Sequence, residues 1–225
     1  MKHFKNFKTC VYCTAQTLAS LDETTLARDY AYLEKYVGID KVYLETYRDG
    51  TWVAIDHMKM IQNFFKEHGV EIAGGITTVT PPLKKDDAKR QRLFQTFCYS
   101  NETMRTYLKK IVTYTAELFD EIILDDFFFT SCTCDDCLRE RSNLSWAEFR
   151  SNKMIDVAEN LVLKPAKLAN PSVKVTIKYP NWRESYHETG YVPKIQPSMF
   201  DKIYTGTETR NTAHTDQHLP RYLSY

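Results

Sequence analysis

Two adjacent carboxylates follow a short apolar run in the middle of this sequence. Residues 122–124 are Ile-Ile-Leu, and Asp125 and Asp126 come directly after them. Such a run is typical of a buried parallel strand, and ligands of parallel α/β folds bind at the carboxyl ends of the strands. Because adjacent strand residues point to opposite faces, we expect one aspartate to face a substrate and the other a neighbouring element. A pair of loop or capping aspartates is the alternative interpretation.

Three thiols follow the aspartates at C-x-C-x-x-C spacing. They are Cys132, Cys134 and Cys137, and Cys98 precedes the next helix upstream. A tetrahedral zinc site needs a fourth ligand, and the loops after the third and fourth strands are neighbours in a barrel, so Cys98 is the candidate. The spacing therefore predicts a structural Zn²⁺ ion held by four thiolates, with no open position for a substrate. Free thiols or a disulfide are the alternatives.

A second pair of thiols, Cys10 and Cys13, lies on the first predicted strand. Strand residues three apart point to opposite sides, so we expect buried structural thiols there and neither a shared metal ion nor a disulfide. A thiol-based redox or regulatory metal protein is nevertheless an alternative hypothesis. It predicts thiols that react in the native protein, whereas a filled zinc site protects its ligands.

Apolar strands and amphipathic helices alternate along the chain. Strands are predicted near residues 11–16 and at 41–44, 70–76, 122–124, 173–177 and 202–204, and helices at 21–37, 54–68, 102–118, 145–169 and, irregularly, 185–195. This βα alternation predicts a parallel sheet, and the polar residues after nearly every strand favour a (β/α)8 TIM barrel over a dinucleotide-binding sheet. Only six of the eight βα units are present. We therefore predict one partial barrel domain over residues 1–225, completed by a homo-oligomer or by the missing C-terminal part of a longer chain.

Composition excludes several classes of function. The balance of 30 Lys+Arg against 29 Asp+Glu gives no electrostatic case for nucleic acid or for an anionic membrane. No apolar run could span a bilayer, and the basic N-terminus lacks the apolar core of a secretory signal. With the predicted zinc thiolates, this favours a cytoplasmic location. Seven glycines and the absence of G-x-G-x-x-G, P-loop, G-x-S-x-G and helical H-x-x-x-H motifs disfavour phosphate-binding loops, serine hydrolases and a catalytic metal.

Residues 95–155 resemble the β-galactosidases of glycoside hydrolase family 42. In that family a Cys-x-Asn segment precedes the helix before the fourth strand, the strand ends in Asn-Glu and an aromatic residue, and a C-x-C-x-x-C follows; the four cysteines hold zinc. The corresponding residues here are Cys98-Tyr99-Ser100-Asn101, Asp125-Asp126-Phe127 and Cys132-Thr133-Cys134-Asp135-Asp136-Cys137, followed by Trp146 and Phe149-Arg150.

The resemblance implies an O-glycosyl hydrolase acting on a carbohydrate substrate. The family's acid/base glutamate falls on Asp126, which is one methylene shorter, and its nucleophile lies on a seventh strand that this chain lacks. Glu208, after the sixth strand, is then the candidate nucleophile or second carboxylate, and Glu45 is held in reserve. Asp125 would supply the neighbouring negative charge that keeps a general acid protonated. The two carboxyl groups should lie about 5–5.5 Å apart in a retaining enzyme and about 6.5–9.5 Å apart in an inverting one.

Further polar and aromatic side chains follow the predicted strands and would position a sugar by hydrogen bonds and stacking. They are Glu45, Arg48, Lys178, Tyr179, Trp182 and Arg210. Each could instead be a surface or salt-bridging residue, and Trp182 could instead belong to the core or to a lid. The missing strands and the change from Asn-Glu to Asp-Asp leave a second hypothesis open: a non-catalytic carbohydrate-binding or structural fragment of a larger barrel.

Overall fold

Six parallel strands follow one another in chain order across one sheet. The computed structural model describes residues 4–80, 92–180 and 185–206. The strands are β1 (Cys10–Cys13), β2 (Lys41–Arg48), β3 (Thr51–Trp52), β4 (Glu71–Ile76), β5 (Glu121–Leu124), β6 (Lys174–Tyr179) and β7 (Lys202–Thr205). The short β3 pairs antiparallel with β2, and the others pair in parallel in the order β1-β2-β4-β5-β6-β7.

Helices connect the strands and cover one side of the sheet. They are α1 (Ala15–Ser20), α2 (Glu23–Tyr36), α3 (Ile55–Glu67), α4 (Glu102–Leu118), α5 (Asp135–Arg141), α6 (Trp146–Val157), α7 (Lys164–Ala169) and α8 (Tyr186–Thr189), with a π-helical stretch, Ala158–Leu163, joining α6 to α7. Side chains of Asp22, Asn101 and Ser145 cap α2, α4 and α6 by accepting bonds from backbone N–H groups that have no partner within the helix. No helix in the described part of the chain is both long and apolar enough to cross a bilayer.

The strand order identifies the fold as an incomplete (β/α)8 barrel. A doubly wound sheet reverses its strand order at a switch point, whereas a barrel keeps the order of the chain throughout. Here the order never reverses, and among the described residues β1 and β7 each pair on one side only, so the sheet is open. The prediction of six βα units from an incomplete TIM barrel is therefore confirmed.

The two faces of the sheet separate the core from the concave interior. Outward residues such as Val42 and Leu44 pack against α1, α2 and α3, and outward residues of β5 and β6 pack against α4, α6 and α7. Inward residues Tyr43 and Ile123 form a separate small cluster with the ring of Tyr12. This alternation is the period-two pattern of strands, and it brings the inward side chains at the strand ends to one place.

Several element boundaries differ from the sequence-based predictions. Strand β6 continues through Tyr179, so Lys178 and Tyr179 lie on the strand and not beyond it. Strand β2 runs on to Arg48, with a register shift between Glu45 and Tyr47, because β3 folds back and pairs with its end. The polar residues at these ends do not fit the apolar pattern of a buried strand, so the predicted strands are too short. The predicted irregular helix at 185–195 shrinks to α8. Neither α1 nor α5 is predicted, and α1 begins at Ala15, inside the range predicted for the first strand.

The expectation of buried thiols on β1 is wrong for Cys10 and is met only in part by Cys13. Cys10 is exposed, and Cys13 is half-buried. Within the described residues β1 is an edge strand that pairs with β2 only, so Cys10 is less covered than a residue on an inner strand. Burial and the nearby Glu45 carboxylate raise the pKa of Cys13 to about 11, which makes it a poor nucleophile near neutral pH.

Candidate active site and thiol cluster

Charged side chains from two strands, β2 and β6, converge on Asp125 at the end of β5. Its Oδ2 accepts a hydrogen bond of 3.1 Å from Nη2 of Arg48, on β2. Its Oδ1 accepts one of 3.0 Å from Nζ of Lys178, on β6, and one of 2.9 Å from the backbone N–H of Asp126. Two cations and one amide therefore hold a carboxylate whose side chain is only 9% exposed.

This environment keeps Asp125 ionised. Burial alone would raise the pKa of Asp125, because it disfavours the charged form. The Lys178 ammonium and the hydrogen bonds from Lys178 and Asp126 outweigh burial and hold the pKa below its usual value. Asp125 is thus a fixed negative charge at the strand ends.

Asp126 lies beside this charge and shares its lysine. Its Oδ2 is 3.5 Å from Nζ of Lys178, and its backbone carbonyl accepts a hydrogen bond of 2.7 Å from the hydroxyl of Tyr191. The residue is 8% exposed. The Arg48 guanidinium lies over the ring of Phe127, 5.6 Å from its centroid, so the aromatic residue after the two acids covers the cation that binds Asp125.

Glu45 is completely buried and anchors Arg48. Its Oε2 accepts hydrogen bonds from the Arg48 Nε at 2.8 Å and from the Ala15 backbone N–H at 2.7 Å, and its Oε1 accepts one of 2.8 Å from the Tyr12 hydroxyl. The Thr77 hydroxyl also donates to Oε1. With its oxygens bound from four sides and 0% exposed, Glu45 positions the guanidinium and does not open to the concave surface.

Tyr12 reaches Glu45 because β4 has a glycine opposite it. A Cβ on Gly75 would lie 2.7 Å from the Tyr12 hydroxyl oxygen, closer than real Cβ contacts come. Burial and the Glu45 carboxylate raise the pKa of Tyr12 well above its usual value, so the hydroxyl stays protonated and donates. Sequence reasoning missed Tyr12 and Thr77, because neither belongs to a motif; the inward position of Tyr12 on β1 was the only available signal.

The remaining predicted site residues fall in two groups. Tyr179 lies in the main hydrophobic core, 3% exposed, with its ring against Tyr186 and Tyr191. Tyr179 is therefore a core residue, and the prediction that it contacts a sugar is wrong. Glu208, Trp182 and Arg210 lie outside the described residues.

The four cysteines of the predicted metal site lie together. Their sulfurs are all within 4.8 Å of one another. The Sγ of Cys98 is 3.6 Å from those of Cys134 and Cys137, and Cys134 and Cys137 are 3.8 Å apart. A tetrahedral zinc ion with Zn–S bonds of about 2.3 Å spaces its sulfurs about 3.8 Å apart, whereas a disulfide needs about 2.05 Å. The donor set and spacing thus fit a zinc ion.

The thiol cluster joins three segments around the site. Cys98 comes from the segment before α4, Cys132 and Cys134 from the loop after β5, and Cys137 from α5. Hydrogen bonds from the Cys137 and Cys98 thiols lower the pKa of Cys132, which favours a thiolate in the cluster. Phe149 and Trp146 of α6 pack against it, which shields the sulfurs from water.

Comparison with known proteins identifies relatives of this chain. A family model described as "Probable glycosyl hydrolase, catalytic domain" matches residues 1–225. An uncharacterized protein of Saccharolobus solfataricus is 34% identical over 230 residues. The alignment covers 92% of this chain and 38% of that protein, so the chain spans well under half of its relative.

Solved structures share the fold at low sequence identity. The β-galactosidase of Rahnella sp. R3 superposes with a TM-score of 0.62 and 10% identity, over 89% of this chain and 39% of that one. The β-galactosidase of the psychrophilic Marinomonas ef1 gives a TM-score of 0.61 and 12% identity, over 88% of this chain and 40% of that one. Both comparisons support the barrel architecture.

Proposed function

This chain belongs to the family of probable glycosyl hydrolase catalytic domains, and on that premise we propose that it hydrolyses a glycosidic bond with Asp126 as the general acid/base. The observation that carries the proposal is the arrangement at the end of β5. There two adjacent carboxylates meet a cation from β2 and another from β6 at the carboxyl ends of the strands, the face at which TIM-barrel enzymes bind their substrates.

The proposed chemistry assigns different work to the two aspartates. Asp126 gives its proton to the glycosidic oxygen while the bond from that oxygen to the sugar carbon breaks. Asp125, held ionised by Arg48 and Lys178, supplies the adjacent negative charge that favours a protonated partner. Lys178, within 3.5 Å of Asp126 Oδ2, is placed to stabilise the carboxylate left after proton transfer.

A second carboxylate must act on the opposite side of the sugar ring. It either attacks the sugar carbon directly or removes a proton from the attacking water. Glu208 is our candidate, since it follows β7 in the sequence. Glu45 is not a candidate for this role, because it is fully buried and bound to Arg48; we assign it as a positioning residue.

The substrate class follows from the family and from the resemblance in residues 95–155. We propose a carbohydrate and would begin with β-galactosides, the substrates named for the two structural neighbours. Arg48 and Lys178 each present a cation at the concave face and are our candidates for contacts to sugar hydroxyls. Both are partly exposed, at 19% and 22% of the side chain.

We also propose that Cys98, Cys132, Cys134 and Cys137 hold a structural zinc ion. When bound, the ion would join the loop after β5 to the segment before α4 and to α5, and all four thiolates would leave no position for a substrate. Elemental analysis of the purified chain should give about one zinc per chain. A chain purified with added zinc that still contains none would refute this assignment.

The test of the proposed activity is a turnover screen with a matched pair of variants. The chain and its Asp126→Asn variant are incubated with 4-nitrophenyl glycosides, beginning with the β-galactoside, and with oligosaccharides. Asp56→Asn, which neutralises an exposed carboxylate on α3, is the control and should retain activity. We expect Asp126→Asn to lose turnover of the oligosaccharides, whose leaving groups need a proton, while sugar binding, followed by calorimetry, persists. Binding without turnover in the unmodified chain would favour the non-catalytic alternative.

A further inference from the structure

The segment between β4 and α4 presents an unusually exposed aromatic ring. Phe94 is 70% exposed, more than any other aromatic residue among the described large hydrophobic side chains that are exposed. Leaving a phenyl ring in water forgoes the hydrophobic stabilisation that burial would provide. An exposed ring that a fold holds in place therefore calls for a physical explanation.

The backbone under this ring is held in an unfavourable conformation. Phe94 has φ 52° and ψ 20°, and Gln95 follows with φ 56°. Two consecutive residues with side chains in the left-handed region are strained, and such strain persists only where the surroundings over-determine it. The strained backbone fixes the direction of the Phe94 side chain, so the exposed position of the ring is a specific property of this segment.

Hydrogen bonds on both sides clamp the segment in this conformation. The Leu93 N–H donates to the hydroxyl of Ser131, in the loop after β5, at 2.8 Å. The Gln95 carbonyl accepts from the Thr80 N–H at 3.0 Å, and the Phe97 N–H donates to the Thr78 carbonyl at 3.0 Å. The segment is thus tied to the chain leaving β4 and to the loop that begins with the two aspartates.

The clamp places Phe94 beside the candidate active site. Its ring meets Phe127 edge to face, with centroids 5.4 Å apart and an interplanar angle of 88°. Phe127 follows Asp126 directly and lies under the Arg48 guanidinium. The exposed ring therefore contacts the residue that directly follows the proposed acid, Asp126.

We propose that Phe94 is a sugar-stacking residue that binds a second sugar ring of the substrate, beyond the ring whose bond is cleaved. The electron-rich face of an aromatic ring attracts the C–H groups on the apolar face of a pyranose. A rigid, pre-positioned ring binds without the ordering cost of a mobile one. This inference rests on the proposed function for its substrate class and extends it to a binding subsite.

The test compares substrates that reach Phe94 with substrates that are too short. Phe94→Ala is assayed with 4-nitrophenyl monoglycosides and with galacto-, manno- and cello-oligosaccharides of two to five units. We expect kcat/KM for the longer oligosaccharides to fall about tenfold, mainly through a higher KM, while that for the monoglycosides stays unchanged. Phe94→Tyr keeps the ring and should restore most of the loss.

A neighbouring variant controls for a general effect on the loop. Leu93→Ala removes another exposed apolar side chain, 54% exposed, and leaves the backbone bond to Ser131 in place. It should behave like the unmodified chain with every substrate. If Leu93→Ala and Phe94→Ala weaken all substrates alike, the ring has no stacking role and the inference is overturned.

Binding measurements separate this inference from the proposed activity. If no glycoside is turned over but Phe94→Ala weakens binding of the longer oligosaccharides about tenfold by calorimetry, the subsite stands and the catalytic proposal fails. If turnover is found and is unaffected by Phe94→Ala at every substrate length, the catalytic proposal stands and the subsite is refuted. The subsite is also refuted if the unmodified chain binds no oligosaccharide of the panel. A change of oligomeric state in Phe94→Ala would refute it as well, because it would indicate that Phe94 lies in a protein interface.

Discussion

The guanidinium of Arg48, on β2, donates a 3.1 Å hydrogen bond to the carboxylate of Asp125, at the end of β5, across the intervening strand β4. Its Nε is bound to Glu45 at 2.8 Å. Arg48 thus lies between a fully buried carboxylate and one at the concave face. Gly75 of β4 faces inward, and the Tyr12 ring occupies the space that a side chain there would fill. The Tyr12 hydroxyl can therefore reach Glu45, which extends the polar network to β1.

Removing the guanidinium should destabilise the protein strongly. Arg48→Ala leaves Glu45 buried without its cation and removes one of the two cations from Asp125. Breaking a buried ion pair by deleting one partner costs roughly 3–5 kcal/mol, so we expect a loss of that size in the free energy of unfolding by urea. Arg48→Lys should recover only part of it, because an ammonium cannot reproduce the forked contacts to two carboxylates.

The matched control is an arginine in an exposed ion pair. Arg28 binds Asp29 at 2.8 Å on the outer face of α2, where solvent screens the attraction. Arg28→Ala should leave the free energy of unfolding nearly unchanged. Equal losses in Arg48→Ala and Arg28→Ala would contradict the assignment of the Glu45–Arg48–Asp125 network as a buried electrostatic core.

The lowered pKa of Asp125 predicts a specific acid sensitivity. Because this pKa is lower in the folded chain than its ordinary value of 3.8, the ionised carboxylate stabilises the fold fully above that value. The stabilisation is lost as the pH falls through the folded pKa. As the pH falls below about 4, the free energy of unfolding should therefore decrease more steeply in the unmodified chain than in Asp125→Asn.

A second carboxylate offers an independent comparison in the same pH range. Glu121 is bound by Lys41 at 2.7 Å and Lys202 at 2.6 Å at the other end of the strands. Burial raises the pKa of Glu121, but hydrogen bonds from the two lysines outweigh it and lower the pKa overall. Glu121→Gln should likewise reduce the decrease in the free energy of unfolding at acid pH, by the amount that Glu121 contributes. Identical slopes in Asp125→Asn and the unmodified chain would refute the account of Asp125.

The architecture and the thiol cluster were accessible from the sequence because they depend on periodicity and spacing. Apolar runs gave all six parallel strands, and C-x-C-x-x-C with a distant Cys98 predicted four sulfurs that the structure brings within 4.8 Å. Strand ends such as Lys178 and Tyr179 were misplaced, because polar residues at the end of a buried strand resemble the start of a loop. Their side chains differ in role since one faces inward and the other the core.

The polar network was not accessible from the sequence. Tyr12 and Glu45 are 33 residues apart in the sequence, and Glu45 and Thr77 are 32 apart. Only the register of β1, β2 and β4 brings the three together. Glu45 was expected to face a sugar because it carries a charge at a strand end. Its burial follows from the length of β2, which continues to Arg48 and places Glu45 one layer deeper.

Thiol reactivity should distinguish the zinc proposal from the redox alternative. Of the six cysteines, Cys10 is exposed and should react first with a thiol reagent in the native protein, and Cys13 slowly because its pKa is about 11. The four clustered thiols should react only after a chelator removes the ion. Rapid native reaction of Cys132, Cys134 or Cys137, identified by mass spectrometry, would favour a redox role.

Loss of a single cluster ligand should lower the melting temperature. Cys98→Ser removes the ligand that joins the segment before α4 to the other three, and we expect a decrease of roughly 10 °C, since each kcal/mol corresponds to about 2–4 °C in a chain of this size. Cys10→Ser, which removes an exposed thiol, is the control and should melt as the unmodified chain does. An unchanged melting temperature in Cys98→Ser would argue against a structural ion.

The dependence of hydrolysis on the leaving group tests the role of Asp126 most directly. A general acid matters most when the departing group is a poor one, so Asp126→Asn should slow cleavage of an alkyl or sugar glycoside by about 10²–10⁴-fold. It should slow cleavage of the 2,4-dinitrophenyl glycoside of the same sugar far less, because that leaving group needs no proton. The account predicts this divergence between the two substrates. Equal losses with both, or undiminished activity in Asp126→Asn, would contradict it.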